Sequence, residues 1–237
     1  MILAIVLMGC FLGFLMSATT GVGGGLVMLP LLAWIVPAGV AVALATPVML
    51  VNNVGKLVLL RGSLDRVFLR RTMLGAVPGA IAGSLLLGVV PDAVVRRGIG
   101  LFLIGYVAVS LFARDYVPRV GRLGAVGWGA ITGLVSGLIG AGGPTSAASM
   151  RGYGLTRQQL VATGAAISVA MQLVKLPVFA AIGLIRTRDL PLALALCATA
   201  LAAAYAGRAL LARMEAATFE RVLLLALFAL GLLMAWK

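Results

Sequence analysis

Two lysines, Lys56 and Lys175, are the only cations more than three residues in from the ends of the long apolar stretches of this 237-residue chain, and they stand 119 residues apart. A lysine at the centre of a membrane helix costs roughly 2.5 to 3.5 kcal/mol on insertion scales, so its position there calls for a use. Lys175 lies eleven residues before Arg186, too deep to extend to the membrane surface, whereas Lys56 lies five before Arg61 and can reach it. Both have polar neighbours at helical spacing. Ser168, Gln172 and Lys175 follow one another at i, i+4 and i+7 and share a helix face, with Pro177 freeing the carbonyl of Leu173 close by. Asn52 and Asn53 precede Lys56 by four and three residues. All six acidic residues, Asp65, Asp92, Asp115, Asp189, Glu215 and Glu220, fall between apolar stretches or at their ends, and there is no histidine. Hydroxyls, amides and ammonium groups without carboxylates suit a small oxyanion. The same lack argues against a metal cation as substrate, and against hydrolysis within the membrane, for which no buried acid or base is offered. No metal site and no cofactor is expected, and the chain is read as a non-enzyme.

The second polar feature is a backbone one. Residues 17–30 read SATTGVGGGLVMLP and residues 136–150 read SGLIGAGGPTSAASM. Ser17 falls on Ser136, Gly21 on Gly140, Gly23 on Gly142 and Gly24 on Gly143 at the same 119-residue offset, while Gly25 falls on Pro144. Three glycines in a row, or two followed by proline, cost a continuous helix several kcal/mol. Broken backbone at membrane depth survives where it is buried in protein or lines a wet cavity, and matched breaks in two halves point to a transporter's substrate site. Helices restarting near Leu26 and Thr145 would aim free N–H groups and positive dipole ends inward, which favours an anion. The expected path therefore passes Ser17, Thr19, Thr20, Gly21, Gly23, Gly24 and Gly25 at the first break. At the second it passes Ser136, Gly140, Gly142, Gly143, Pro144, Thr145 and Ser146. Thr46, Asn52, Asn53, Lys56, Thr163, Ser168, Gln172 and Lys175 form the walls.

These residues need a scaffold, and composition defines it. The chain is 62% hydrophobic, with 11% charged residues and a mean hydropathy of +1.16, outside the range of soluble domains. Nine apolar stretches are legible, from Ile2 to Ala18, Leu26 to Val36, Val40 to Leu60, Phe68 to Val90, Ile99 to Ala113, Leu123 to Ile139, Leu160 to Ile185, Leu190 to Leu211 and Val222 to Trp236. Most have the ~17 to 25 residues that a helix needs to cross a bilayer, and none alternates like a barrel strand. The fold class is all-α, a polytopic membrane bundle in contact with lipid. The net charge of +13 comes from arginines in short connections, the pattern of cytoplasmic loops rather than of nucleic-acid binding. Cys10 and Cys197 lie far apart in apolar runs and suggest no disulfide framework. The LMGC run at 7–10 has no basic region before it and continues apolar, so the first stretch reads as a retained membrane segment.

The repeat organises the chain into two units, 1–118 and 119–237, within one membrane domain. ATPVMLVNNVGKLVLL at 45–60 parallels ATGAAISVAMQLVKLPVF at 162–179, and GAIAG at 79–83 faces AAYAG at 203–207. The last pair reads as small-residue helix packing. If each broken segment simply crosses, each half has four spans and the halves are parallel, with loop cations split ten to seven. If it turns back, each half has a hairpin plus three spans and the halves are inverted. One side then holds Arg61, Arg66, Arg70, Arg71, Arg114, Arg119, Arg122, Arg151, Arg157, Arg208, Arg213 and Arg221, and the other only Arg96, Arg97, Arg186, Arg188 and Lys237. The twelve-to-five bias favours inverted repeats with the arginine-rich side cytoplasmic.

With its duplicated glycine signature, its LATPVML stretch and KLPVFAAIGLI after the second lysine, the chain resembles the TauE/SafE sulfite exporter family of bacterial inner-membrane transporters. The resemblance implies movement of sulfur-containing anions such as sulfite or sulfonates, commonly outward, without a bound cofactor. The chain departs from the pattern at Pro144, which replaces a glycine, and at Ser149, which stands where the first half has Pro30. The two breaks are therefore expected to differ in shape. A passive anion channel and a non-transporting scaffold subunit are the competing readings, and the sequence leaves a homo-oligomer open.

Overall fold

The computed structural model describes the backbone of residues 2–20, 24–112, 118–210 and 216–236, and the side chains of 4–15, 24–112, 118–206 and 223–236. These residues form ten α-helices: α1 (Ile2–Thr20), α2 (Gly24–Leu32), α3 (Ala38–Leu60), α4 (Arg66–Val89), α5 (Asp92–Phe112), α6 (Arg122–Ile139), α7 (Gly142–Tyr153), α8 (Arg157–Ala181), α9 (Leu190–Leu210) and α10 (Ala216–Trp236). Six of them, α3, α4, α5, α6, α8 and α9, are long and apolar enough to cross a membrane. The all-α, multi-pass architecture follows from this. Pro47, Pro78 and Pro177 sit inside α3, α4 and α8, as membrane helices tolerate where neighbours shield the freed carbonyl.

Local chemistry sets the helix ends. The Asp65 side chain accepts a hydrogen bond from the Phe68 N–H at 2.7 Å and starts α4. Thr156 and Gln159 form a reciprocal capping box that starts α8. Gly140 ends α6 at φ 71° and Gly154 ends α7 at φ 89°, left-handed positions that an L side chain resists. The apolar stretch from Leu26 shortens to α2, and a turn over 33–36 closes it. Helix α7 was not visible as an apolar stretch, because GGPTSAASMRGY is built of small and polar residues.

Both short helices fold back. A Cβ on Gly9 would meet Leu31 and one on Gly13 would meet Val27, so α2 runs antiparallel against α1. The Val120 N–H donates to Gly152 O at 3.1 Å while Gly142 sits against Thr132 and Ser136, so α7 runs antiparallel against α6. The tightest seam joins the two halves. Gly75, Gly79 and Gly83 of α4 lie against Val126, Ala130 and Leu134 of α6, and Gly129, Gly133 and Gly137 of α6 lie against Thr72, Ala76 and Ala80. Both sets rise together in number, so α4 and α6 are parallel, and a Cβ at any of the six would strike backbone.

The remaining packing repeats when the halves are exchanged. Helix α4 packs on α6 and α9 on α1; α4 packs on α8 and α9 on α3; α3 packs on α8 and α5 on α10. Helices α1 and α6 end at Thr20 and Ile139, and α3 and α8 begin at Ala38 and Arg157, each pair 119 residues apart. The later helices, α4 and α9, begin at Arg66 and Leu190, matching the spacing between GAIAG and AAYAG. A main apolar core lies between α1, α2, α3, α5, α9 and α10, and a smaller one around Phe68, Ile167 and Met171.

Candidate functional site

The second break opens into a cavity of about 110 Å³, several times what one water requires. Its walls are the start of α2, the second half of α3, the break between α6 and α7, α7 as far as Arg151, and the first two-thirds of α8. Helix α7 begins there without a side-chain cap, so the amides of Gly142 and Gly143 in its first turn have no partner within the helix, and Pro144 contributes none. The Thr145 hydroxyl turns back to Gly142 O at 2.8 Å instead of capping. An uncapped helix start of 12 residues presents the positive end of its dipole to the cavity.

Polar side chains complete the walls. Asn53 Nδ2 donates to Met49 O at 2.8 Å and to Ser168 Oγ at 3.0 Å, tying α3 to α8 across the repeat. Ser146 Oγ and Gln172 Oε1 are buried without a protein partner, leaving hydrogen-bonding capacity for a guest. The half-buried Lys56 and the exposed Arg151 are the charged liners, and no carboxylate lines the cavity among the described residues.

Lys175 is placed differently. It is 1% exposed, and its Nζ donates to Ser136 O and Ser136 Oγ, both at 3.1 Å, with the Phe179 ring centroid at 6.0 Å. The Gly140 N–H donates to the same Ser136 carbonyl. The ammonium thus stands at the C-terminal, negative end of α6, directly behind the break. It braces the α6 terminus, whereas its repeat mate Lys56 lines the cavity.

Of the sequence-derived site residues, the cavity brings together Gly25, Asn53, Lys56, Ser136, Gly140, Gly142, Gly143, Pro144, Ser146, Ser168 and Gln172. Others lie behind its walls. Gly24 is packed against Phe14, Thr46 donates to Val42 O at 3.1 Å, and Thr163 accepts the Asp65 N–H at 3.0 Å to pin the α3–α4 turn. Asn52 is buried with both side-chain polar atoms unpartnered, and Thr145 is half-buried behind Gly142. Gly21 and Gly23 lie outside the described residues, as do the side chains of Ser17, Thr19 and Thr20.

Sequence reasoning missed Met49, Met150, Met171, Leu160 and Arg151 among the liners. Met49 carried a signal, since it stands 119 residues before Ser168. Arg151 read as one more loop arginine because α7 was not recognised as a helix leading from the break to the surface.

A family profile for sulfite exporter TauE/SafE matches residues 5–234. No curated protein and no solved structure matches. Because the profile spans both breaks, both lysines and nearly all ten helices, the chain belongs to the TauE/SafE sulfite exporter family, whose members are membrane transporters.

Proposed function

We propose that this protein moves a small sulfur-containing oxyanion or organosulfonate outward across the bacterial inner membrane, with the cavity at the second break as its binding site. The observation that carries the reading is the uncapped start of α7 opening into a cavity whose charged liners, Lys56 and Arg151, are both cationic. Amides at a helix start, a carboxamide and hydroxyls are the donors that recognise tetrahedral or pyramidal oxyanions.

The halves are read as inverted repeats. Two observations support this: α1–α2 and α6–α7 are hairpins that return the chain to the side it left, and α3 runs antiparallel to its mate α8, with Asn53 meeting Ser168 and Asp65 meeting Thr163. Tracing the chain on that basis puts the α3–α4 and α7–α8 connections on one face with Arg61, Arg66, Arg119, Arg122, Arg151 and Arg157. The α4–α5 and α8–α9 connections lie on the other face with Arg96, Arg97, Arg186 and Arg188. The richer face is the cytoplasmic one by the positive-inside rule.

The test is a thermal-shift panel on purified protein with sulfite, methanesulfonate, sulfate, thiosulfate and acetate, followed by flux in proteoliposomes. A ligand at 100 times its Kd stabilises the folded state by about 2.7 kcal/mol, which is readily seen as a rise in Tm. Sulfite or methanesulfonate is expected to stabilise and to be transported with saturating, trans-stimulated kinetics. Flux linear in concentration would make the protein a channel, and neither stabilisation nor flux with any anion would overturn the reading.

A further inference from the structure

The cavity reaches toward one end of the bundle. Arg151 near the end of α7 and Leu160 and Val161 near the start of α8 line it, so it reaches the arginine-rich face at the α7–α8 turn. Beside Gly140, another of its liners, Leu29 and Val42 of the first half fill the space that a Cβ there would enter. The repeat makes this asymmetry informative, because every wall residue has a mate 119 positions away in the other half.

The cavity-lining residues Ala147, Arg151, Leu160, Val161, Gly164 and Ala165 map, at the 119-residue offset, onto Met28, Leu32, Ala41, Val42, Ala45 and Thr46. For the four pairs on α3 and α8, this register follows the helix starts, Ala38 and Arg157. Met28, Leu32, Ala41 and Val42 are all 0% exposed, and Ala45 and Thr46 are 3% and 1%. Five of these positions are half-buried or exposed in the second half, Ala165 being the buried one, and all six are packed shut in the first. Between the sets lie Asn53 and Gln172, themselves mates, at the polar centre.

We infer that Met28, Leu32, Ala41, Val42, Ala45 and Thr46 are the closed walls of a second passage, leading from the polar centre to the opposite membrane face. It opens when the first half adopts the arrangement the second half has here, while the second half closes. The inference rests on the transport reading and adds to it a specific exit. The passage differs from the open mouth in chemistry, because Arg151 is matched by Leu32. The mouth draws anions in with a cation, and the exit has no charge to hold them.

The experiment uses the full chain with Cys10→Ala and Cys197→Ala, carrying either Val42→Cys or its mate Val161→Cys, in inside-out and right-side-out vesicles. An impermeant maleimide probes each face with methanesulfonate present, since sulfite itself adds to maleimides. Val161→Cys is expected to label rapidly from the arginine-rich face. Val42→Cys is expected to label only from the opposite face, and if the alternate state is a minor one at roughly 0.1 to 10% population, ~10- to 1,000-fold more slowly. Ala45→Cys, a smaller change, repeats the measurement should Val42→Cys fold poorly. Labelling of position 42 or 45 from the arginine-rich face, or from neither face, overturns the second passage. Flux of methanesulfonate or sulfite by the cysteine-free protein is measured separately, so a failure of the transport reading shows as lost flux and not as an altered labelling pattern.

Discussion

Lys56 and Lys175 occupy equivalent positions in the two halves and serve different ends. Lys56 lines the cavity, and a hydrogen bond from its ammonium to a guest anion would contribute about 1.5 to 3 kcal/mol. Lys56→Gln should therefore weaken anion binding by roughly 10- to 100-fold, read from the concentration of sulfite or methanesulfonate needed to raise Tm above the variant's own unliganded value. Unaltered anion affinity would remove Lys56 from the site. Lys175 instead holds the α6 terminus through Ser136. Ser136→Ala takes away one of its two acceptors inside the protein and should cost about 1 to 3 kcal/mol of stability. A Tm equal to that of the parent would mean that the buried ammonium has another partner.

Among the helices, the glycine seam between α4 and α6 has the narrowest tolerance. Gly133→Ala would drive a methyl into the Ala76 carbonyl and so force two helices apart, an overpacking cost of about 1 to 3 kcal/mol or more. Gly127 lies on the same helix in open space, with nothing within 4 Å of where a Cβ would stand, so Gly127→Ala should leave Tm unchanged or slightly raised. Equal effects of the two substitutions in a thermal unfolding assay would show that the seam is looser than its geometry. The GAIAG stretch announced half of this seam in the sequence. Its partner glycines, 129, 133 and 137, were hidden in a segment that reads as an ordinary apolar span, because spacing on one helix does not say which helix it meets.

For the molecule as a whole, the arrangement of the two halves relative to the membrane is the property most open to test. Inverted halves put the turn at Gly62 and the start of α8 at Arg157 on one face, and the α8–α9 connection at Arg188 on the other. Parallel halves put Gly62 and Arg157 on opposite faces. In the cysteine-free background, Gly62→Cys and Arg157→Cys should label from the same side of oriented vesicles and Arg188→Cys from the other. Gly62 has nothing within 4 Å of a Cβ and Arg188 is exposed, so neither change disturbs packing.

The linear sequence was sufficient for properties that depend on composition and local spacing. Hydropathy determined that the chain is a helical membrane protein, since only helices and closed barrels satisfy backbone groups in lipid and none of its apolar stretches alternates like a barrel strand. The 119-residue repeat determined that there are two matched breaks, and the glycines and Pro144 made a broken helix there cheaper than a continuous one. Only the tertiary structure decided that α2 and α7 fold back, that Ser136 captures Lys175 while Lys56 lines the cavity, and that Arg151 stands at its mouth. Those outcomes depend on which helix faces which, and identical positions in the two repeats can therefore be open in one half and sealed in the other.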